Sequence, residues 1–446
     1  SLMNGGLSMV EMKSGYKMSE VGVIPEDWEV KTLGKLACIN GRIGFRGYTV
    51  KDLVRKGEGA IAIGGKHISK NFLDLSDAEY ISWKKYYESP EIMVKQGDIV
   101  LAQRGTLGKS ALIKSDIGPA TINPSLVLIN KIKCNNLYLI YNIQSSSVTD
   151  YILQINSQTS IPMISQKQIE GIKIAIAKLD SEQTAIATAL SDVDSLISAL
   201  TKKIEKKKAI KQGLMQQLLT GKKRLPGYEK NRESVQTEWG AIPKDWKTLS
   251  IGKCCSIKAR IGWQGLKKSE YQSSGEYVLV TGTDFLNGRI DWKSCVYVSK
   301  KRYEQDSNIQ IVKHDILITK DGTIGKVAFL DDVPCLGTLN SGIFVVRSHS
   351  EELDQSYLSK IFKSFIFDAF LESLVAGSTI NHLYQKDFVH FNFPVPPTIS
   401  EQTAIANILS DCDSEIAALE EKRDKYKEIK QGMMQQLLTG KIRLIK

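Results

Sequence analysis

The sequence predicts an α+β protein: two similar globular domains of mixed α and β, separated by two long helices that pair as an intramolecular antiparallel coiled coil with pseudo-two-fold symmetry. Three observations predict it. The 446-residue chain repeats itself at a near-constant offset. Each repeat opens on short β-rich runs broken by glycine turns, and each closes on a proline-free segment with heptad spacing.

Long-period self-similarity dictates architecture, so the repeat comes first. Ile24-Pro25-Glu26-Asp27-Trp28 recurs 218 residues on as Ile242-Pro243-Lys244-Asp245-Trp246. Gly41-Arg42-Ile43-Gly44-Phe45-Arg46-Gly47 returns at the same offset as Ala259-Arg260-Ile261-Gly262-Trp263-Gln264-Gly265. Gly105-Thr106-Leu107-Gly108-Lys109 matches Gly322-Thr323-Ile324-Gly325-Lys326, and residues 181–187 match 400–406 identically. Gln216-Gln217-Leu218-Leu219-Thr220-Gly221-Lys222 returns as residues 435–441. Few insertions separate the copies, so both halves share one fold. Identity is weak between the shared blocks, as expected of one scaffold with two differently specialised surfaces.

The boundaries follow: a domain over residues 16–178, a helix over 179–221, a linker over 222–240, a second domain over 241–397 and a second helix over 398–446. Asp98-Ile99-Val100-Leu101-Ala102 before Gly105, and Asp315-Ile316-Leu317-Ile318-Thr319 before Gly322, read as buried strands. Residues 125–129 and 343–346 read as further strands, and 137–154 and 353–374 as helices.

In residues 181–220, Ser181 and Glu182 after Asp180 offer capping and first-turn acidic chemistry. Apolar positions then fall at Ile186, Leu190, Val193, Ile197, Leu200 and Ile204, and resume at Leu214 and Leu218. The second copy runs through Ile405, Leu409, Cys412, Ile416 and Leu419, then Met433 and Leu437. This is a heptad seam. About forty residues make a rod about 60 Å long, too long a stripe for one small domain to cover. Each rod has one equivalent partner in the chain, and a pseudo-two-fold axis would run them antiparallel. Lys207, Lys211, Arg423, Tyr426 and Lys430 interrupt the seam, where long basic side chains snorkel, fix register or face another protein. The basic run of residues 202–211, together with Lys222-Lys223-Arg224, reads as a solvated helix face.

Composition narrows the classes. A 42% hydrophobic and 24% charged chain is globular, and no run approaches eighteen apolar residues. The polar, glycine-rich Ser1-Leu2-Met3-Asn4-Gly5-Gly6 does not read as a secretory signal. Seven scattered cysteines, never spaced C-x-x-C, predict free thiols in a reducing cytoplasm; the five histidines form no H-E-x-x-H pair, so no metal is expected. A net charge of +11 favours a polyanionic partner, although solubility alone also accounts for such a charge.

The ordered, duplicated blocks resemble the specificity subunit of type I restriction–modification systems. The resemblance is carried by the tandem layout, the Ile-Pro-x-Asp-Trp opening, the Gly-Thr-[Leu/Ile]-Gly-Lys turn, the Ser-Glu-Gln start of each long helix and the Gln-Gln-Leu-Leu-Thr-Gly-Lys end, from about residue 20 onward. It implies that each globular part is a target recognition domain reading half of a split sequence in double-stranded DNA. It implies that the paired helices set the gap between half-sites and dock two modification (methyltransferase) subunits, with restriction subunits able to join. Under it this chain holds no cofactor: S-adenosylmethionine, ATP and Mg sit on the partners. Two domains on a fixed spacer reach major-groove segments about one turn apart, and differing surfaces make the target asymmetric.

Arginine and lysine supply phosphate contacts and guanine readout, while Gln, Ser and Thr reach other base edges. The first loop of each half offers Arg42, Arg46 and Lys51, and Arg260, Gln264, Lys267 and Lys268. The Gly-Thr-x-Gly-Lys turn adds Arg104, Thr106 and Lys109, with Lys320, Thr323 and Lys326 in the second half. A later loop adds Gln166 and Lys167 beside Ser165, and His382, Tyr384 and Lys386 beside Gln385. Gly105 and Gly108 read as turn formers and Trp28 and Trp246 as core anchors; Phe45 and Trp263 read as loop packing, with stacking as the alternative.

No catalytic constellation is present in the sequence. Gln103 and Val327 break a phosphate-loop pattern at the Gly-Thr-x-Gly-Lys turns. Asn123-Pro124-Ser125-Leu126 and Phe393-Pro394-Val395-Pro396-Pro397 do not fit an adenine-methyltransferase loop, and Gly57-Glu58-Gly59 is followed by Ala62 where a third glycine belongs. Asp245-Trp246-Lys247 and Asp291-Trp292-Lys293 are no more than dipeptide-scale matches to a nuclease site. Two other classes stay open: a duplicated coiled-coil adaptor for proteins, which would bind DNA poorly and without steep salt dependence, and a self-sufficient enzyme, which would bind its own cofactor.

Overall fold

The computed structural model describes residues 14–69, 71–156, 162–229, 233–375 and 382–444. The Ser1–Gly6 expectation lies outside the described residues. The chain divides into two units, Ser1–Thr201 with Glu421–Lys446, and Lys202–Glu420. Each is taken by itself.

In the first unit Cys38–Gly41, Leu126–Asn130, Ile99–Ala102 and Ser110–Leu112 form an antiparallel sheet. Its central strands are buried on both faces, which is why they read as continuous apolar runs. Alternation then divides them between two cores. Ile99, Leu101, Val127 and Ile129 join Trp28, Tyr138, Ile186 and Leu190. Val100, Ala102, Leu126 and Leu128 face Ile63, Ile92 and Ile122. That second core lies against a sheet ordered Ala120–Ile122, Gly59–Ile63, Glu79–Ser82, Leu53–Val54, whose first pair is parallel.

The second unit repeats the plan. Cys255–Lys258, Ile343–Ser348, Ile316–Thr319 and Val327–Phe329 form the sheet, with Ile316, Ile318, Phe344 and Val346 on one core and Leu317, Ile343 and Val345 on the other. Leu336–Leu339 runs parallel to Tyr277–Val280.

Each helical stretch expected over residues 137–154 and 353–374 is two helices: Asn136–Ile143 and Ser146–Asn156, then Gln355–Phe362 and Phe365–Val375. The break in the second falls at Ser364, whose hydroxyl accepts from the Ile366 amide and donates to the Ile361 carbonyl. That local bond competes with helix continuation.

The long helices run Asp180–Leu218 and Ile399–Leu437, 39 residues each. Every predicted seam position is buried or half-buried, the interrupting Lys207, Lys211, Arg423, Tyr426 and Lys430 included. In the first unit Ile186 and Leu190 pack with Met433, Met434 and Leu437, and Lys430 Nζ lies 2.7 Å from Asp194. In the second, Met215 and Leu218 pack with Ile405 and Leu409, and Lys208 meets Glu420 at 2.6 Å, Lys207 meets Glu415 at 2.8 Å and Lys211 meets Asp413 at 2.5 Å. The basic run is therefore not merely solvated: three of its lysines pair with acids of the other helix. Within each unit the paired stretches run antiparallel. Asp194 also accepts from the Tyr141 hydroxyl, and Asp413 from Lys360, so each acid ties its globular part and both helices at one point.

The repeated motifs meet at one junction per unit. In the first, Arg443 grips Glu182 and also reaches Asp27 at 2.8 Å, over the Trp28 ring. In the second, Arg224 reaches Glu401 at 2.6 Å and Asp245 at 3.0 Å, over Trp246. Next in sequence, Gln183 accepts from the Asn135 amide and donates to the Ala177 carbonyl, and Gln402 does the same with Asp354 and Pro396. Gly221 and Gly440 have φ of +66° and +68°; a Cβ on Gly221 would stand 2.5 Å from the Pro243 ring, and one on Gly440 would meet Pro25. Trp28 and Trp246 are core anchors, as expected.

Candidate nucleic-acid interface

The three loops singled out in each half come together in each unit. In the first, the end of the Cys38–Gly41 strand abuts the third loop: the Gln166 amide nitrogen occupies the place a Cβ on Gly41 would take, with Gln103 beside it. Arg104 forms an antiparallel bridge with Met163, and the Ile164 amide donates to the Gln103 carbonyl at 3.0 Å. In the second unit Gln385 donates to the Ile257 carbonyl at 3.2 Å, Asp321 bridges His382, and the Leu383 amide donates to the Lys320 carbonyl at 2.8 Å. One end of each main sheet thus gathers all three loops.

The Gly-Thr-x-Gly-Lys segments are hairpin turns. Gly105 and Gly108 stand at φ +75° and +77°, and Gly322 and Gly325 at +69° and +81°, so their backbone requirement alone accounts for these glycines. The turns present Arg104, Thr106 and Lys109 in the first unit and Thr323 in the second to solvent, with Lys320 and Lys326 half-buried. Lys51, Lys167, Lys267, Lys268, Tyr384 and Lys386 are exposed; Arg46, Gln166 and His382 are half-buried. Arg46 lies 3.5 Å from Glu91, and Lys386 sits 5.5 Å from the Tyr384 ring.

Arg42 and Arg260 are placed differently from the other candidates. Arg42 is 6% exposed and Arg260 2%. Arg42 donates to the Ile122 carbonyl at 3.0 Å, the Thr121 hydroxyl at 2.9 Å and the Arg46 carbonyl at 3.3 Å. Arg260 donates to the Leu339 carbonyl at 2.8 Å and the Thr338 hydroxyl at 3.0 Å. Each guanidinium pins its loop to a strand distant in sequence, Ala120–Ile122 for Arg42 and Leu336–Leu339 for Arg260, which is a scaffolding task. Gln264 is buried too, its side-chain oxygen without a hydrogen-bond partner among the described residues.

Two features depart from the sequence reading, one a corrected preference and one a residue it missed. Phe45 and Trp263 do not pack into their loops; they are 84% and 77% exposed. Asp321, a carboxylate, occupies the backbone position that Arg104 holds in the other half; both positions form the same antiparallel bridge, and Asp321 adds a side-chain hydrogen bond to His382. Aligning the Gly-Thr-x-Gly-Lys blocks one residue further back would have found that charge reversal.

Taken together, the fold and the paired loop clusters define a duplicated two-domain protein with two long helices. A family model described as the type I restriction modification DNA specificity domain matches the chain twice, over residues 25–212 and 243–431. The type I restriction enzyme MjaVIII specificity subunit of Methanocaldococcus jannaschii is 26% identical over 446 residues, covering 94% of each chain. A relative from that organism assigned to the MjaX system is 28% identical over 442 residues, covering 97% of each. Among solved structures, the S subunit of a type I restriction–modification system from M. genitalium superposes with a TM-score of 0.58 at 14% identity, covering 92% of this chain and 96% of that one. The chain belongs to the type I restriction modification DNA specificity family.

Proposed function

We propose that this chain is the non-catalytic specificity subunit of a type I restriction–modification complex, reading a bipartite, asymmetric target in double-stranded DNA. The observation that carries the reading is the pair of equivalent loop clusters on one backbone plan with different side chains: Arg104 with Met163 in one, Asp321 with His382 in the other. Arg favours guanine edges and phosphate, whereas a carboxylate accepts from a cytosine amino group and repels phosphate. The two clusters therefore select different sequences, and the half-sites differ.

The long helices pair along their whole length as an antiparallel coiled coil, and the repeat sets a pseudo-two-fold axis. What supports this is the matched ion pairs within each unit, with Lys430–Asp194 in one and Lys211–Asp413 in the other. The coiled coil fixes the spacing between half-sites and presents its outward faces to two methyltransferase subunits; restriction subunits join that assembly. S-adenosylmethionine, ATP and Mg belong to those partners, and the complex works in the cytoplasm. Among the described residues no helix is long and apolar enough to cross a membrane.

The test is to map N6-methyladenine in cells expressing the chain with its cognate modification subunit. A split motif with unlike halves is expected; a palindromic or contiguous motif contradicts the reading. Calorimetry with S-adenosylmethionine and the chain alone is expected to show no binding, and a stoichiometric site would make it an enzyme. A protein-only adaptor would lack the salt slope of about −0.9 per phosphate neutralised.

A further inference from the structure

Phosphate and base-edge contacts leave one exposed feature of each loop cluster without a task. Phe45 and Trp263 stand at the centre of equivalent short turns, Gly44–Arg46 and Gly262–Gln264, each with its ring in water. The preceding Ile43 and Ile261 are exposed as well. A solvated aromatic on a pliable loop would be unremarkable. These loops are not left to themselves: Arg42 and Arg260, both buried, bolt them to the strands Ala120–Ile122 and Leu336–Leu339 through two hydrogen bonds of the same kind in each unit. The fold holds an aromatic out in solvent twice, by the same device, with a different ring each time.

The surroundings choose the occupant. The Arg46 guanidinium lies 5.6 Å from the Phe45 ring, and the same loop continues to exposed Lys51; beyond Trp263 the loop carries exposed Lys267 and Lys268. An apolar ring bordered by cations matches a surface whose flat apolar faces lie between anions, which is the arrangement of bases and phosphates. We propose that Phe45 and Trp263 stack on base faces as wedges, each opening a base step in or beside its own half-site. The inference rests on the DNA-reading function proposed above. It adds a consequence: part of the selectivity is for steps that unstack cheaply, pyrimidine–purine above all, and so is not carried by hydrogen bonds.

The experiment uses the chain assembled with its modification subunits, a duplex bearing the motif mapped by methylation, and a scrambled duplex. Phe45→Ala and Trp263→Ala are each expected to weaken binding to the motif duplex by about 5- to 150-fold, the range set by about 1–3 kcal/mol of base–aromatic stacking. The salt slope should be unchanged, because no cation is removed, and Phe45→Trp should restore affinity. A 2-aminopurine placed along the half-site should brighten on binding of the parent complex and stay quenched with the alanine variants. Parent-like affinity and fluorescence in both alanine variants overturns the proposal. Loss of subunit assembly with intact DNA affinity also overturns it, and assigns the rings to a protein partner. A parent complex that prefers neither duplex removes the DNA-reading function itself, and the wedge with it.

Discussion

Glu182 and Glu401 are among the most deeply buried charges in their units, and each survives there because an arginine far away in sequence reaches it. Arg224 forks onto both Glu401 and Asp245, a geometry that a lysine cannot copy. Arg224→Ala is expected to cost about 3–5 kcal/mol in urea unfolding of the second unit, because it strands a buried carboxylate. Arg224→Lys should recover little. Burial raises the Glu401 carboxyl above its ordinary value, while Arg224 pulls the other way. With Arg224 gone, burial acts unopposed. A carboxyl raised in the folded state stabilises below its unfolded value and loses that contribution as pH rises through the folded one. The Arg224→Ala deficit should therefore be smaller near pH 5 than at pH 8; an equal deficit at both refutes the burial account. The sequence displayed Arg42, Arg260 and the two junction glutamates plainly, but not their partners. Arg42 reads as a DNA contact by residue type and loop position; only the fold shows it buried, with donors engaged by Ile122, Thr121 and Arg46.

The long helices were the most legible elements, because a heptad seam depends only on spacing along one chain. Their ends were legible as motifs but not as chemistry. The glycines show the difference. Gly213 and Gly432, inside the helices, have no atom within 4 Å of a built Cβ, whereas Gly440 has a positive φ and Pro25 in the way. Gly213→Ala should stabilise the isolated chain by about 0.5–1 kcal/mol through helix propensity alone. Gly440→Ala should destabilise it by about 1–3 kcal/mol through backbone strain and the collision with Pro25. Thermal unfolding of the two variants checks both signs, and a Gly213→Ala loss would mean that the helix needs a close backbone approach there. The helical breaks at residues 144–145 and 363–364 were not legible, since apolar periodicity continues across them; at the second, the Ser364 hydroxyl decides the matter locally.

For the molecule as a whole, duplication made the architecture readable: one offset near 218 predicts one fold twice, and both units show the same order in the main sheet and the same two-core alternation. The candidate interface was readable as three loops, because residue type and turn glycines mark them, and the structure brings those loops together; the pairing of its charges was not readable. The charge of Asp321 could be read by alignment, but its pairing with His382 and the exposure of the Phe45 and Trp263 rings depend on the folded loop arrangement, which no local pattern encodes. On the function proposed above, the same duplication divides the labour, with one half-target for each globular part. The most direct test is to replace residues 16–178 with the corresponding part of another family member and map methylated adenines with the same modification subunit. The account predicts that one half of the split motif changes while the other half and the gap stay as they were. A change in both halves, or in neither, contradicts it.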